Sequence, residues 1–209
     1  MSSTPAPALS YLALGDSYTI GEGVPESGRW PVQLAAALRA EGVALADPRI
    51  IATTGWTTDE LAFGIDGAHP LGEWDFVSLL IGVNNQYRGR SAMDYRGEFE
   101  TLLKRAIGFA RGRADRVLVL SIPDWGVTPF VKTTPATPQT IATELDAFNA
   151  AAQVVCEARG VAFVDITPVS RQRGGEKDML ADDGLHPSAS MYTLWTQLAL
   201  PVARGLLRG

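Results

Sequence analysis

At 209 residues, 46% hydrophobic and 20% charged, the chain has the size and balance of one globular domain with a full core. A net charge of −5 without a basic cluster argues against nucleic acid or an anionic membrane surface as partner. No apolar run approaches the ~20 residues of an integral membrane span, and one cysteine, Cys156, excludes an intrachain disulfide, so a cytoplasmic location is expected.

Residues 1–9 read as a flexible Ser/Thr/Pro/Ala leader, without the basic start or apolar stretch of a secretory signal. The whole chain, 1–209, is then expected to form a single domain. Five apolar, β-rich runs follow: Tyr11–Leu14, Arg49–Thr53, Asp75–Ile81, Arg116–Ile122 and Val161–Ile166. Helical patterns separate them, which predicts βαβ units and a parallel sheet covered on both faces.

The first run ends at Gly15-Asp16-Ser17-Tyr18, with Gly21 and Gly23 close behind. A glycine turn that presents a short polar side chain at the lip of a sheet makes Ser17 the candidate nucleophile. Asp16 fits a structural role in holding that turn. The first long helix is predicted from Pro31 to Gly42. Gly55 and Trp56 follow the second strand, and Thr57 with Glu60 marks a capping box.

Gly82-Val83-Asn84-Asn85 follows the third strand, and Ser91 with Asp94 opens the next helix. Arg88 and Arg90 fit solvated loop charges better than a substrate-binding role. Asp124–Thr137 reads as a long connection after the fourth strand. Thr137 and Pro138 begin a helix with the stripe Ile141, Leu145, Phe148, Ala152 and Val155, closed by Gly160. A second long connection, Thr167–His186, leads to Asp183-Gly184-Leu185-His186-Pro187. Pro187 is expected at the first helical position, with His186 at the helix entrance, and Pro201 is expected to kink or end that helix.

In a parallel sheet all these strand ends share the edge where open α/β sheets bind ligands. A serine, a histidine and an aspartate meeting there form the inventory for acyl transfer. His186 would take the serine proton, and Asp183 would hold the imidazole by Nδ1–H. The Ser17 N–H, the Gly55 N–H and the Asn84 amide would bind the oxyanion. Tyr18, Trp56, Tyr87, Trp125 and Phe130 are the aromatics expected near the substrate. Asp66-Gly67-Ala68-His69-Pro70 repeats the pattern of residues 183–187 at four of five positions, but it precedes the third strand. Topology therefore puts His69 at the opposite edge.

Gly15-Asp16-Ser17, Gly55, Gly82-x-Asn84 and Asp183-x-x-His186-Pro187, in that order, resemble the GDSL or SGNH hydrolase superfamily. The resemblance implies a flavodoxin-like, three-layer α/β/α fold with strand order 2-1-3-4-5. It implies hydrolysis of a small-molecule acyl ester through an acyl-serine intermediate, without metal or organic cofactor. Its serine, glycine, asparagine, aspartate and histidine map onto Ser17, Gly55, Asn84, Asp183 and His186. Tyr18 replaces the leucine of the family name, and Asn85 stands where the family often has aspartate. A thioesterase, lysophospholipase or acyltransferase would use the same triad. A flavodoxin-like binding module is the alternative of a different class, although Gly15-Asp16-Ser17 makes a poor phosphate cradle.

Overall fold

The computed structural model describes residues 7–208. Five strands form one parallel sheet: β1 (Tyr11–Gly15), β2 (Arg49–Ala52), β3 (Phe76–Leu80), β4 (Val117–Leu120) and β5 (Ala162–Val164). Their order is β2-β1-β3-β4-β5, as expected. Between them, in chain order, lie α1 (Ser17–Ile20), α2 (Trp30–Ala40), α3 (Thr58–Gly67), α4 (Val83–Tyr87), α5 (Ala92–Phe109), α6 (Pro138–Arg159), α7 (Thr167–Arg173) and α8 (Ala189–Arg208). The helix α2 packs on α8, while α5 packs on α3 and α6. Helices that cross over toward β2 and those that cross toward β5 take opposite faces, because parallel crossovers keep one hand.

The central strands β1, β3 and β4 are buried along their whole length, which is why they read as unbroken apolar runs. Trp30 of α2 and Tyr192 and Trp195 of α8 are fully buried between the sheet and the outer helices. Tyr95 and Phe99 of α5 fill the other layer, with Tyr95 stacked on Phe148 of α6 at 4.6 Å between ring centres. Cys156 lies in that layer too, and burial pushes its thiol up to about 12.

Several expectations are corrected. The leader is not free throughout: Leu9 bridges Leu45 in parallel and donates its N–H to the Ala44 carbonyl at 2.7 Å. Its first six residues lie outside the described residues. The 167–186 connection contains α7 and a 3₁₀ turn at Lys177–Met179, and 124–137 contains two such turns, Trp125–Val127 and Pro129–Thr133. Helix α8 begins two residues later than expected. Pro187 bridges Leu180, Ser188 caps the helix, and His186 sits in the preceding loop.

Pro201 does not end α8, which continues to Arg208. It lies with Gln197 on the exposed face, so the carbonyl that loses its partner meets water. Ala199, Ala203 and Leu207 continue the buried face past it.

Candidate active site

The sheet's carboxyl edge carries a cavity of about 190 Å³. Ser17, Tyr18, Thr54, Gly55, Val83, Asn84, Tyr87, Trp125, Phe130, Leu185 and His186 line it. None of these is an acid, a lysine or an arginine.

Ser17 opens α1 directly after β1. Asp16 caps the turn, its Oδ1 accepting the Tyr18 N–H at 3.0 Å. Gly15 is needed for close approach: a Cβ there would meet Thr19 Oγ1 at 2.2 Å and the Leu80 carbonyl at 2.5 Å. The left-handed backbone of this segment falls at Gly21, which ends α1 with φ 72°. Asp16 is fully buried and its Oδ2 has no hydrogen-bond partner. Burial pushes its carboxyl up to about 7, against the pull of the Tyr18 N–H.

The histidine expected as base comes from the far end of the chain. His186 Nδ1 lies 2.5 Å from Asp183 Oδ2. Asp183 Oδ1 accepts the N–H groups of Leu185 and His186, both at 2.9 Å. Burial pushes the Asp183 carboxyl up, but these bonds, led by the one from His186, outweigh it and hold the group below its ordinary value. An ionised carboxylate has no proton to give, so Nδ1 carries the hydrogen, and in the neutral imidazole Nε2 is then the acceptor. The loop is braced by the His186 carbonyl on the Ala181 N–H at 2.8 Å and by the Gly184 carbonyl on the Phe130 N–H at 3.3 Å. The Tyr18 ring stands edge-on between His186 and Trp195, at 5.9 and 6.0 Å. Tyr18 therefore backs the imidazole as well as lining the cavity.

Gly55 occupies the third position of a turn closed by the Trp56 N–H on the Thr53 carbonyl at 3.3 Å. Its φ of 88° is the value a type II turn places there. The N–H at that position takes no part in the turn's own hydrogen bond. Asn84 donates one amide hydrogen to the Trp56 carbonyl at 2.9 Å. A carbonyl accepts only, so this contact fixes which end of the amide is nitrogen and uses one of its two hydrogens.

Asn85 is fully buried and faces elsewhere. It accepts the Thr58 N–H at 3.1 Å and donates to Thr58 Oγ1 at 2.6 Å and Glu98 at 3.0 Å.

Of the expected aromatics, Tyr87, Trp125 and Phe130 form one wall, with ring centres 5.5 to 6.4 Å apart. The Trp125 indole is fixed by Gln86 at 2.8 Å, and Gln86 by Glu144 at 2.6 Å. Trp56 does not line the cavity, contrary to expectation. Its ring lies over Gly64 of α3, where a Cβ would come within 2.2 Å of Cη2, and what it brings to the site is its carbonyl.

Arg88 and Arg90 are not free loop charges. Arg88 bridges Glu60 and the Gly55 carbonyl, and Arg90 pairs with Asp59 and Glu98. Thr54, Val83 and Leu185 were missed, although each adjoins a motif residue. His69 lies at the opposite edge, between α3 and β3, its ring against Phe109 at 6.1 Å. Asp66 beside it is in the last turn of α3 and pairs with Arg105 at 2.6 Å.

The family model for the GDSL-like lipase/acylhydrolase family matches residues 13–194. None of the curated proteins matches the sequence. Among solved structures, the lipase/acylhydrolase from Enterococcus faecalis is similar at TM-score 0.73 and 21% identity, over 95% of this chain and 97% of that one. TesA is similar at 0.72 and 20% identity, over 95% and 99%. Axe2, an acetylxylan esterase from Geobacillus stearothermophilus, is similar at 0.70 and 16% identity, over 94% of each chain. At these identities the likeness is one of fold.

Proposed function

The chain belongs to the GDSL-like lipase/acylhydrolase family, and from that premise we propose that it hydrolyses small acyl esters with Ser17 as nucleophile. The observation that carries the reading is the single cavity lined by Ser17, His186, Gly55 and Asn84, with Asp183 bonded to the histidine behind it.

In the proposed reaction, Ser17 Oγ attacks the ester carbonyl while His186 Nε2 takes its proton. The tetrahedral intermediate places its negative oxygen among the Ser17 N–H, the Gly55 N–H and the free Asn84 hydrogen. Asp183 stabilises the imidazolium. The C–O bond to the alcohol breaks, and His186 returns the proton to the leaving oxygen. Water then attacks the acyl-serine with His186 again as base, releasing the acid and restoring Ser17.

Two features support small, uncharged acyl groups. The cavity is smaller than the roughly 300–1,000 Å³ of sites for drug-sized ligands, and Val83, Leu185 and the aromatic wall give it an apolar lining. No helix among the described residues is long and apolar enough to cross a membrane. A cytoplasmic location is part of the proposal, supported by the single buried cysteine.

Hydrolysis of one aryl alcohol's esters across acyl length tests the substrate class. Acetyl to butyryl esters should turn over best. A true acyl tunnel would favour binding by ~0.8 kcal/mol for each added CH₂, so a specificity constant climbing steadily to long chains would contradict the reading.

A further inference from the structure

The turn that carries Gly55 follows β2, and Asn84 follows β3, yet both are oxyanion donors in the proposed reaction and must aim at one point. Side chains of α4 and its last-turn neighbour join them. Arg88 donates Nη2 to the Gly55 carbonyl at 2.7 Å and Nη1 to Glu60 Oε1 at 3.1 Å. Glu60 accepts the Thr57 N–H at 2.9 Å through its other oxygen. Asn84 holds the Trp56 carbonyl, and Asn85 the Thr58 N–H. Residues 55–58 are thus tied one after another to the segment 84–88, directly or through Glu60.

Gly55 is the weak point of this strip. A Cβ built on it meets nothing within 4 Å, and the residue itself has no side chain to anchor it. Glycine is the residue with the most backbone freedom to lose. Hydrogen bonds must fix its orientation, and the one on its own carbonyl comes from Arg88. The arginine is suited to that task because a planar fork serves a carbonyl and a carboxylate together, whereas an ammonium is a point charge. The Arg88 and Glu60 side chains are 45% and 40% exposed, so their ion pair adds little to stability.

We propose that Arg88 is a positioning residue, which clamps the Gly55 turn to α4 so that the Gly55 N–H and the Asn84 amide converge on the oxyanion. The proposal rests on the ester-hydrolase reading of the site. Its readout is a loss confined to the transition state.

Arg88→Ala, Arg88→Lys, Ser17→Ala and the native chain would be assayed together on one aryl acetate, with thermal unfolding of each recorded. Arg88→Ala should unfold close to the native midpoint. Its kcat should fall about tenfold to a hundredfold, less than the loss of a whole donor, with KM changed by less than about twofold. Ethylguanidinium added to Arg88→Ala should restore part of kcat, and Arg88→Lys should stay impaired. Native kcat in Arg88→Ala, a loss carried mainly in KM, or failure of ethylguanidinium to rescue would overturn the clamp while leaving Ser17-dependent hydrolysis intact. A native chain without Ser17-dependent hydrolysis would overturn the ester-hydrolase reading and the clamp with it.

Discussion

Two adjacent asparagines with opposite surroundings show how much a single residue's register matters. Asn84 is half-buried at the cavity and Asn85 is fully buried against Thr58 and Glu98. Asn84→Ala is predicted to cost ~2.7–4 kcal/mol of transition-state stabilisation, mainly in kcat. Asn85→Ala leaves the buried Thr58 N–H without its acceptor and should lower stability by about 1–3 kcal/mol. Its kcat should stay much closer to native; steady-state kinetics beside denaturant unfolding checks both.

Asp16 gives a pH prediction with a definite sign. Its folded carboxyl titrates near 7, and its unfolded one near 3.8. Between these values the folded state holds the proton that the unfolded state releases, so this group's contribution falls as pH rises from about 4 to about 7. At about 1.4 kcal/mol per unit, the native chain should lose on the order of 4 kcal/mol over that window relative to Asp16→Asn. Asparagine keeps the acceptor for the Tyr18 N–H. Parallel curves of unfolding free energy against pH for the two chains would contradict this. Ser17 and the Asp183–His186 spacing were legible because each sits within a few residues of a strand end or helix start. Arg88 was not, because its partners Gly55 and Glu60 lie about thirty residues away and only the packed fold brings them within reach.

Helices were legible where caps and stripes coincided. Ser91 accepts the Asp94 N–H at 3.0 Å, Thr137 accepts the Thr140 N–H at 3.1 Å, and Gly160 closes α6 with φ 67°. Short elements such as α1, α4 and α7 escaped, since four to seven residues show too little of a 3.6 period to stand out. Pro201 shows packing overriding a local breaker. Proline inside a helix is ~3 kcal/mol worse than alanine, offset by about 1 kcal/mol through the narrower unfolded chain. Pro201→Ala should therefore stabilise the protein by about 2 kcal/mol without changing kcat. Unchanged or lowered stability in a urea titration would show that Pro201 costs α8 nothing at that position.

For the whole molecule, the parallel direction of the strands decides which of two similar histidine motifs shares an edge of the sheet with Ser17. The parallel sheet followed from the alternation of β-rich runs with helical patterns and its strand order from the family resemblance, whereas the stacking of the aromatic wall and the turned-away Trp56 depend on how loops and helices pack. His69 is separated from the cavity by the length of a strand, ~17–20 Å, far beyond the ~3 Å reach of a general base. His69→Ala should keep near-native kcat and His186→Ala should lose nearly all of it, on one aryl acetate. The most direct test of the account is covalent: treat the native chain with a fluorophosphonate, weigh the adduct and map it by peptide mass. The account predicts one phosphonyl group per chain, on Ser17, with Ser17→Ala neither labelled nor active. An adduct on another serine, together with undiminished hydrolysis by Ser17→Ala, would contradict it.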